Sequence, residues 1–386
     1  MIGFTRPSVQ TELDRFYKTL SGTTNFDPVS KSAFTQSRRK LNPNVFKELN
    51  NGQVNYFNQN APFKRSWKGK RIIAIDSSSV NLPHTKDVED CFGSVRSRQE
   101  KVIAGLASFA YDVCNDLVID AMLAPKKSGE QDLAVDHLHQ LNPQTDILVF
   151  DRGYPAQWLM GLLDLLGFKY CFRLSTSWKN ATEAVKDKRD VGWTMRRENK
   201  SSWGKLKTYG LPRELENLRL LSIPLDSGEQ ELLVTNLSDS QKYTYRDMKE
   251  LYQLRWPVEE SFKTFKKVLN IEYFSGRTSI AVKQDFHARV LMQNLASMVR
   301  TQGIDFAKKP PVNSHKYKKK ANKTQAIAKL KDFLIDLFYR GSIKTIIDNL
   351  IRVIEKSMDI IRPNRSFSRP KDTSRRRHKV KTSKGV

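Results

Sequence analysis

The sequence predicts an α/β fold, and three observations carry that prediction. Ile72-Ile73-Ala74-Ile75 and Ile147-Leu148-Val149-Phe150 are short apolar runs of the kind that form buried strands. Ile103 to Tyr111 and Leu117 to Leu123 flank the turn-rich Asp112-Val113-Cys114-Asn115-Asp116, which reads as a hairpin. Gln131 to Leu141 has helical character and sits between that hairpin and the second apolar run. Strand, hairpin, helix, strand is an α/β order.

The remaining elements follow along the chain. Residues 1–65 read as short polar helices with a basic edge at Arg38-Arg39-Lys40, a helical DNA-binding domain. Residues 66–167 hold the strands and helix above, the first part of an α/β core. Over residues 168–240, runs such as Tyr170-Cys171-Phe172, Leu218 to Ile223 and Leu232-Leu233-Val234 alternate with polar and Gly/Pro turns, a β-rich insertion. Thr244-x2-Asp247 resembles a capping box, and Pro257 suits the first turn of a new helix. Residues 241–300 complete the core, and residues 301–361 are helical, with Ile343, Ile347, Leu350, Ile354 and Ile361 on one face. Residues 362–386 hold ten Lys/Arg against the single acid Asp372, the pattern of a basic disordered tail.

Composition narrows the function. The 386 residues carry 67 Lys plus Arg against 41 Asp plus Glu, a formal net charge of +26. Such an excess repels itself in a compact state, so a polyanionic partner is the natural counterweight, nucleic acid ahead of an anionic membrane. At 39% hydrophobic the chain can bury a core of two or three domains. No run reaches 18 apolar residues, and the N-terminus lacks a signal-peptide core, which points to the cytoplasm. Cys91, Cys114 and Cys171 are an odd count without Cys-x2-Cys spacing, which argues against a disulfide framework and a zinc ribbon.

Three carboxylates stand out. Asp76 and Asp151 each follow directly on a buried apolar run, and ligands of an open α/β sheet bind outside the carboxyl ends of its strands. Turn initiation or helix capping explains either residue taken alone. Glu259 is the third, sharing one helical face with Phe262, Lys263 and Lys266, while Tyr252 and Arg255 lie one turn apart on the preceding helix. A pair of amphipathic helices with solvated charges is the plainer account of those residues. Phosphodiester hydrolysis gives the acids a common purpose. Two divalent ions roughly 3.5–4 Å apart generate the nucleophile and stabilise the leaving oxygen, and hard ions prefer carboxylate oxygens. Acids without clustered His or Cys suit Mg²⁺, or Mn²⁺ in its place, better than zinc. The histidines, His137 and His139 among them, read as surface or helix residues.

The spacing Tyr252-x2-Arg255-x3-Glu259-x6-Lys266 resembles the Tyr/Arg/Glu/Lys signature of the insertion-sequence-four-type DDE transposases. Asp151-Arg152-Gly153-Tyr154 resembles that family's second-aspartate motif. Ile75-Asp76-Ser77-Ser78 with Leu82-Pro83 resembles its first, with Ser77 where glycine is frequent. Val29 to Phe46 and Gln284 to Asn294 share the likeness, which covers about residues 25–300. The resemblance implies a ribonuclease H-like core whose Asp76, Asp151 and Glu259 hold two Mg²⁺ ions as catalytic and metal ligands. It implies DNA contacts from Tyr252, Arg255, Lys266 and Arg152. It further implies a bacterial-type, nucleoid-associated transposase that acts as a homodimer on paired terminal inverted repeats of double-stranded DNA. Such an enzyme cuts the ends and joins 3′-hydroxyls to target DNA. A stand-alone DNA nuclease on the same fold and a non-catalytic DNA-binding protein are the alternatives. The positioned Tyr252, Arg255 and Lys266 favour the transposase, because phosphate contacts fix register on a defined end.

Overall fold

The computed structural model describes residues 8–360 apart from 23–26, 28, 98–99, 197–202, 226–227, 307–318 and 340–341. The basic segment 362–386 and Ile361 lie outside the described residues. Three helices come first, α1 (Val9–Ser21), α2 (Lys31–Arg39) and α3 (Asn44–Asn60). They lead to β1 (Arg71–Asn81), α4 (Lys86–Phe92), β2 (Ser94–Ser97), β3 (Glu100–Asp112), β4 (Leu117–Pro125) and α5 (Glu130–His137). Next are β5 (Asp146–Phe150), α6 (Gln157–Leu165), β6 (Lys169–Leu174), α7 (Lys179–Ala184), β7 (Asp190–Arg196), α8 (Trp203–Thr208), β8 (Glu214–Pro224) and β9 (Gln230–Thr235). The chain then turns helical with α9 (Tyr245–Gln253), α10 (Pro257–Lys267) and α11 (Ser279–Phe306). A short ribbon of β10 (Lys319–Ala321) and β11 (Met358–Ile360) brackets α12 (Lys323–Tyr339) and α13 (Ile343–Glu355).

The fold is mixed α/β, as the sequence predicts. Among the described residues, nine strands form one sheet in the order β2-β3-β1-β5-β6-β9-β8-β7, with β4 pairing β3. β1, β5 and β6 run parallel, whereas β3 is antiparallel to β1 and β4 to β3. β9 joins β6 antiparallel, so β7–β9 extend the same sheet.

Alternation along β1 feeds two layers. Ile72 and Ala74 belong to the apolar cluster under α9, α10 and α11, while Ile73 and Ile75 belong to the one under α3 and α6. Side chains of opposite parity on this strand therefore serve opposite faces. The sequence reading ended the first strand at Ile75, but β1 continues to Asn81. Its apolar run stops there, whereas pairing with β3 persists through Asn81↔Ala104 and needs only backbone groups. Asp76 is therefore a mid-strand residue. The late helix also ends earlier than its apolar spacing suggests, at Glu355, before β11.

Polar contacts dock the first helices onto α11. Buried Arg38 donates to Gln284 Oε1 at 2.9 Å and pairs with Asp285 at 3.1 Å, and Asn294 Nδ2 donates to Asn50 Oδ1 at 2.7 Å. Two segments distant in sequence, both singled out above, thus meet in space.

Candidate active site

Asp76 lies on the face of β1 that looks toward α10. Its cross-strand partner Phe109 stacks on Phe262 with ring centroids 4.3 Å apart, and Phe262 sits one turn beyond Glu259. Burying such a phenylalanine is worth about 1.5–3 kcal/mol, so one aromatic contact registers the glutamate helix against the aspartate strand. Asp151 is the first residue past β5, whose Phe150 pairs with Ile75. Pairing across adjacent parallel strands puts Asp151 beside Asp76. α9 starts at the capping box, where the Thr244 side chain accepts from Asp247 N and Asp247 caps Thr244 in return. Pro257 occupies the first turn of α10, as its missing N–H allows.

The three carboxylates share one electrostatic neighbourhood. Burial raises Asp76 from 3.8 to about 6, the Ser77 N–H and the Arg255 charge oppose that rise, and the charges of Asp151 and Glu259 add to it. Each acid has a local anchor. Asp76 Oδ1 accepts from Ser77 N at 2.8 Å, Tyr252 O–H makes a long 3.4 Å approach to Asp151 Oδ1, and Arg255 Nη2 donates to Glu259 Oε1 at 2.8 Å. Arg255 is buried with its guanidinium 5.6 Å from the centre of the Tyr252 ring. Its Nε and Nη1 have no hydrogen-bond partner among the described residues. Lys266 reaches β1 on the Asp76 side, donating to Ser78 Oγ at 2.8 Å. Burial lowers its pKa, Glu272 opposing and Lys126 reinforcing that effect.

Tyr252, Arg255, Asp76, Asp151, Glu259 and Lys266 thus gather along β1, the end of β5, α9, α10 and the turn between them, which carries Arg255 instead of the helix that the spacing suggested. Arg152 is exposed, and Lys263 turns outward to Glu260 instead of sharing the Glu259 face with Lys266. Among the described residues, no group of three His, Cys, Asp or Glu side chains is arranged to hold a metal ion. The carboxylates lie within electrostatic reach, with Glu259 turned to arginine.

The donor set nevertheless fits a hard divalent cation. It consists of carboxylate oxygens, and Asp76, raised chiefly by burial with Asp151 and Glu259 adding to the rise, is a carboxylate whose ionised form a cation would favour.

Some residues here escaped sequence reasoning. Glu231 on β9 pairs with Arg173 on β6 at 3.1 Å, and its pKa is raised by burial, lowered by Arg173 and Arg255, and raised by Asp151. Their only sequence signal is charge inside a strand. Tyr154 O–H and Ser77 Oγ are 3.0 Å apart on the far face of β1. His137 is the helix residue that the sequence reading allowed, but it is not at the surface. It is fully buried on α5, 3.0 Å from Ser108 Oγ and 2.8 Å from Asp120 Oδ2.

Residues 67–295, more than half the chain, match the transposase DDE domain. The chain belongs to the transposase DDE domain family. It is 22% identical over 288 residues to the transposase InsG for insertion sequence element IS4 of Escherichia coli (strain K12), covering 72% of this chain. The chain spans 62% of the length of that relative, and the likeness places it with the IS4 group. The cryo-EM structure of a piggyBac transposase synaptic complex with hairpin DNA superposes with a TM-score of 0.42 at 12% identity, over 79% of this chain and 60% of that one.

Proposed function

We propose that this chain is a DNA transposase of a bacterial-type insertion sequence. In this reading, Asp76, Asp151 and Glu259 hold two Mg²⁺ ions, or Mn²⁺ in their place, in a ribonuclease H-like core. The observation that carries it is the convergence of the three acids with Tyr252, Arg255 and Lys266 on one side of β1. The strand order β4-β3-β1-β5-β6, with β3 and β4 antiparallel and the rest parallel, supports such a core.

Asp76, Asp151 and Glu259 would hold the cations, which would activate a water or hydroxyl and stabilise charge on the leaving 3′-oxygen. The protein's own side chains do the positioning. Arg255, 5.6 Å from the centre of the Tyr252 ring and joined to Glu259, is the cation beside the acids that would meet a phosphate oxygen next to the scissile one. Lys266, seven residues beyond Glu259 and so roughly 10 Å along the helix, holds a neighbouring phosphate. Exposed Arg152 meets the backbone at the rim. Glu259, bound to Arg255 at 2.8 Å here, would be one of the carboxylates holding the cation.

The domain boundaries read from the sequence are part of this proposal. The helices before residue 65 bind DNA, residues 168–240 are a β-rich insertion in the core, and two copies pair the ends. No helix among the described residues is long and apolar enough to cross a membrane. Association with the nucleoid follows from the proposed substrate and the +26 charge.

The test is cleavage and strand transfer on DNA that carries the terminal inverted repeats flanking the gene. Mg²⁺-dependent nicking at the repeat boundary and joining to a target plasmid are expected, with Asp151→Asn at least about 1,000-fold slower, ~4 kcal/mol at 1.36 kcal/mol per decade. Cleavage of any duplex without joining would leave the nuclease reading standing. Ordinary cleavage by Asp151→Asn would remove the acids from the chemistry.

A further inference from the structure

The buried Tyr154 carries a hydroxyl that packing does not require. Its ring fills the cluster under α6 and lies 5.4 Å from Phe150, contacts that a phenylalanine would make equally well. A buried hydroxyl costs roughly 1–3 kcal/mol unless it is hydrogen-bonded, so its partner matters. That partner is Ser77 Oγ at 3.0 Å, on the strand that bears Asp76.

Each half of this bond is coupled to an acid through the backbone. Ser77 N donates to Asp76 Oδ1 at 2.8 Å, so fixing residue 77 fixes the rotamer of the first carboxylate. Tyr154 N donates to Asp151 O at 3.1 Å, closing the turn that presents the second. Gln131 Nε2 donates to Tyr154 O at 3.3 Å and braces that turn from α5. Asp76 and Ser77 project to opposite faces of β1, so the hydroxyl pair clamps the two aspartate segments from behind and leaves the catalytic face open.

We infer that Ser77 and Tyr154 are a positioning pair that sets the spacing of Asp76 and Asp151, and through it the affinity for divalent cation. The inference rests on the proposed role of those two acids. Residues that orient ligands without touching the metal typically change its affinity by 10–100-fold when altered.

The experiment is Mn²⁺ titration of the metal-free, full-length protein, read by electron paramagnetic resonance and calorimetry, with thermal melts as the folding control. Tyr154→Phe and Ser77→Ala should each weaken Mn²⁺ binding by about 10-fold, and the double variant should be no worse than either single, because one bond is lost in all three. Ser77→Thr keeps a hydroxyl and should retain affinity. Wild-type affinity in a folded Tyr154→Phe or Ser77→Ala protein would overturn the pair, as would additive losses in the double variant. Should Tyr154→Phe fail to fold, Ser77→Ala and Ser77→Thr decide the matter alone. Asp151→Asn separates the two levels. If it binds Mn²⁺ like the wild type, the role of the acids has failed. If it loses binding while the pair variants do not, only the pair has failed.

Discussion

Asp76 and Asp120 sit in one sheet, on β1 and β4, and burial acts on both, yet they are displaced in opposite directions. Burial would raise Asp120, but the hydrogen bond and charge of His137, then Lys47 at 3.2 Å, outweigh it and bring the acid down to about 2. Burial takes Asp76 up to about 6, Ser77 and Arg255 only partly offset that, and two more acids work against it. Asp116 at the β3–β4 turn resembles Asp120. Burial raises it, and Lys323 at 2.7 Å and Arg300 pull it below its ordinary value. The sheet thus carries acids completed by the fold and acids left short of positive charge. Asp76 at the proposed metal site is of the latter kind, and so is Asp112 at the end of β3, which burial also lifts to about 6 despite Arg71; at Asp76 a bound cation would supply what the fold does not.

The strongest way to break this contrast is to remove the compensation at Asp120. His137→Leu leaves a buried carboxylate without its main partner and Ser108 without an acceptor or donor. The expected cost is about 3–5 kcal/mol in urea unfolding, with DNA cleavage per folded molecule unchanged. A loss under 1 kcal/mol would show that Lys47 alone completes Asp120.

A smaller effect of opposite sign is expected at Asp76. An acid whose folded pKa lies above its ordinary 3.8 costs nothing below that pH, and the penalty grows through pH 4–6 and is full above about 6. Asp76→Asn should therefore stabilise the metal-free protein by on the order of 1–3 kcal/mol at pH 7. At pH 4 it should do so hardly at all. Melts across that range check this, and an equal gain at both pH values would refute a raised Asp76 pKa in the folded protein. Asp120 has the reverse sign. Its contribution is present above its ordinary 3.8 and is lost as pH falls toward about 2.

The smallest effect sharpens the contrast by ligand. Mg²⁺ at ten times its dissociation constant should raise wild-type stability by about 1.4 kcal/mol. Asp120→Asn, though weakened, should respond equally, and Asp76→Asn should respond much less. Chelation should reverse the gain. Equal responses in both variants would place cation binding elsewhere.

The elements legible in the sequence were those with a local cause. Apolar runs gave β1 and β5, the Asp112–Asp116 turn gave the β3–β4 hairpin, and Thr244 and Pro257 marked the starts of α9 and α10. The spacing of Tyr252, Arg255, Glu259 and Lys266 was legible because α9, α10 and the short turn between them carry all four. Tertiary contacts alone decided the rest. That β1 runs past Asp76 depends on its partner β3, and that β7–β9 extend the central sheet depends on β9 meeting β6. The burial of His137 between Ser108 and Asp120, and the bond from Ser77 to Tyr154, join residues far apart along the chain. Sequence by itself determined which side chains could carry charge and which segments would bury. The packed sheet decided which of those charges found partners, because compensation depends on distances that only the closed fold sets.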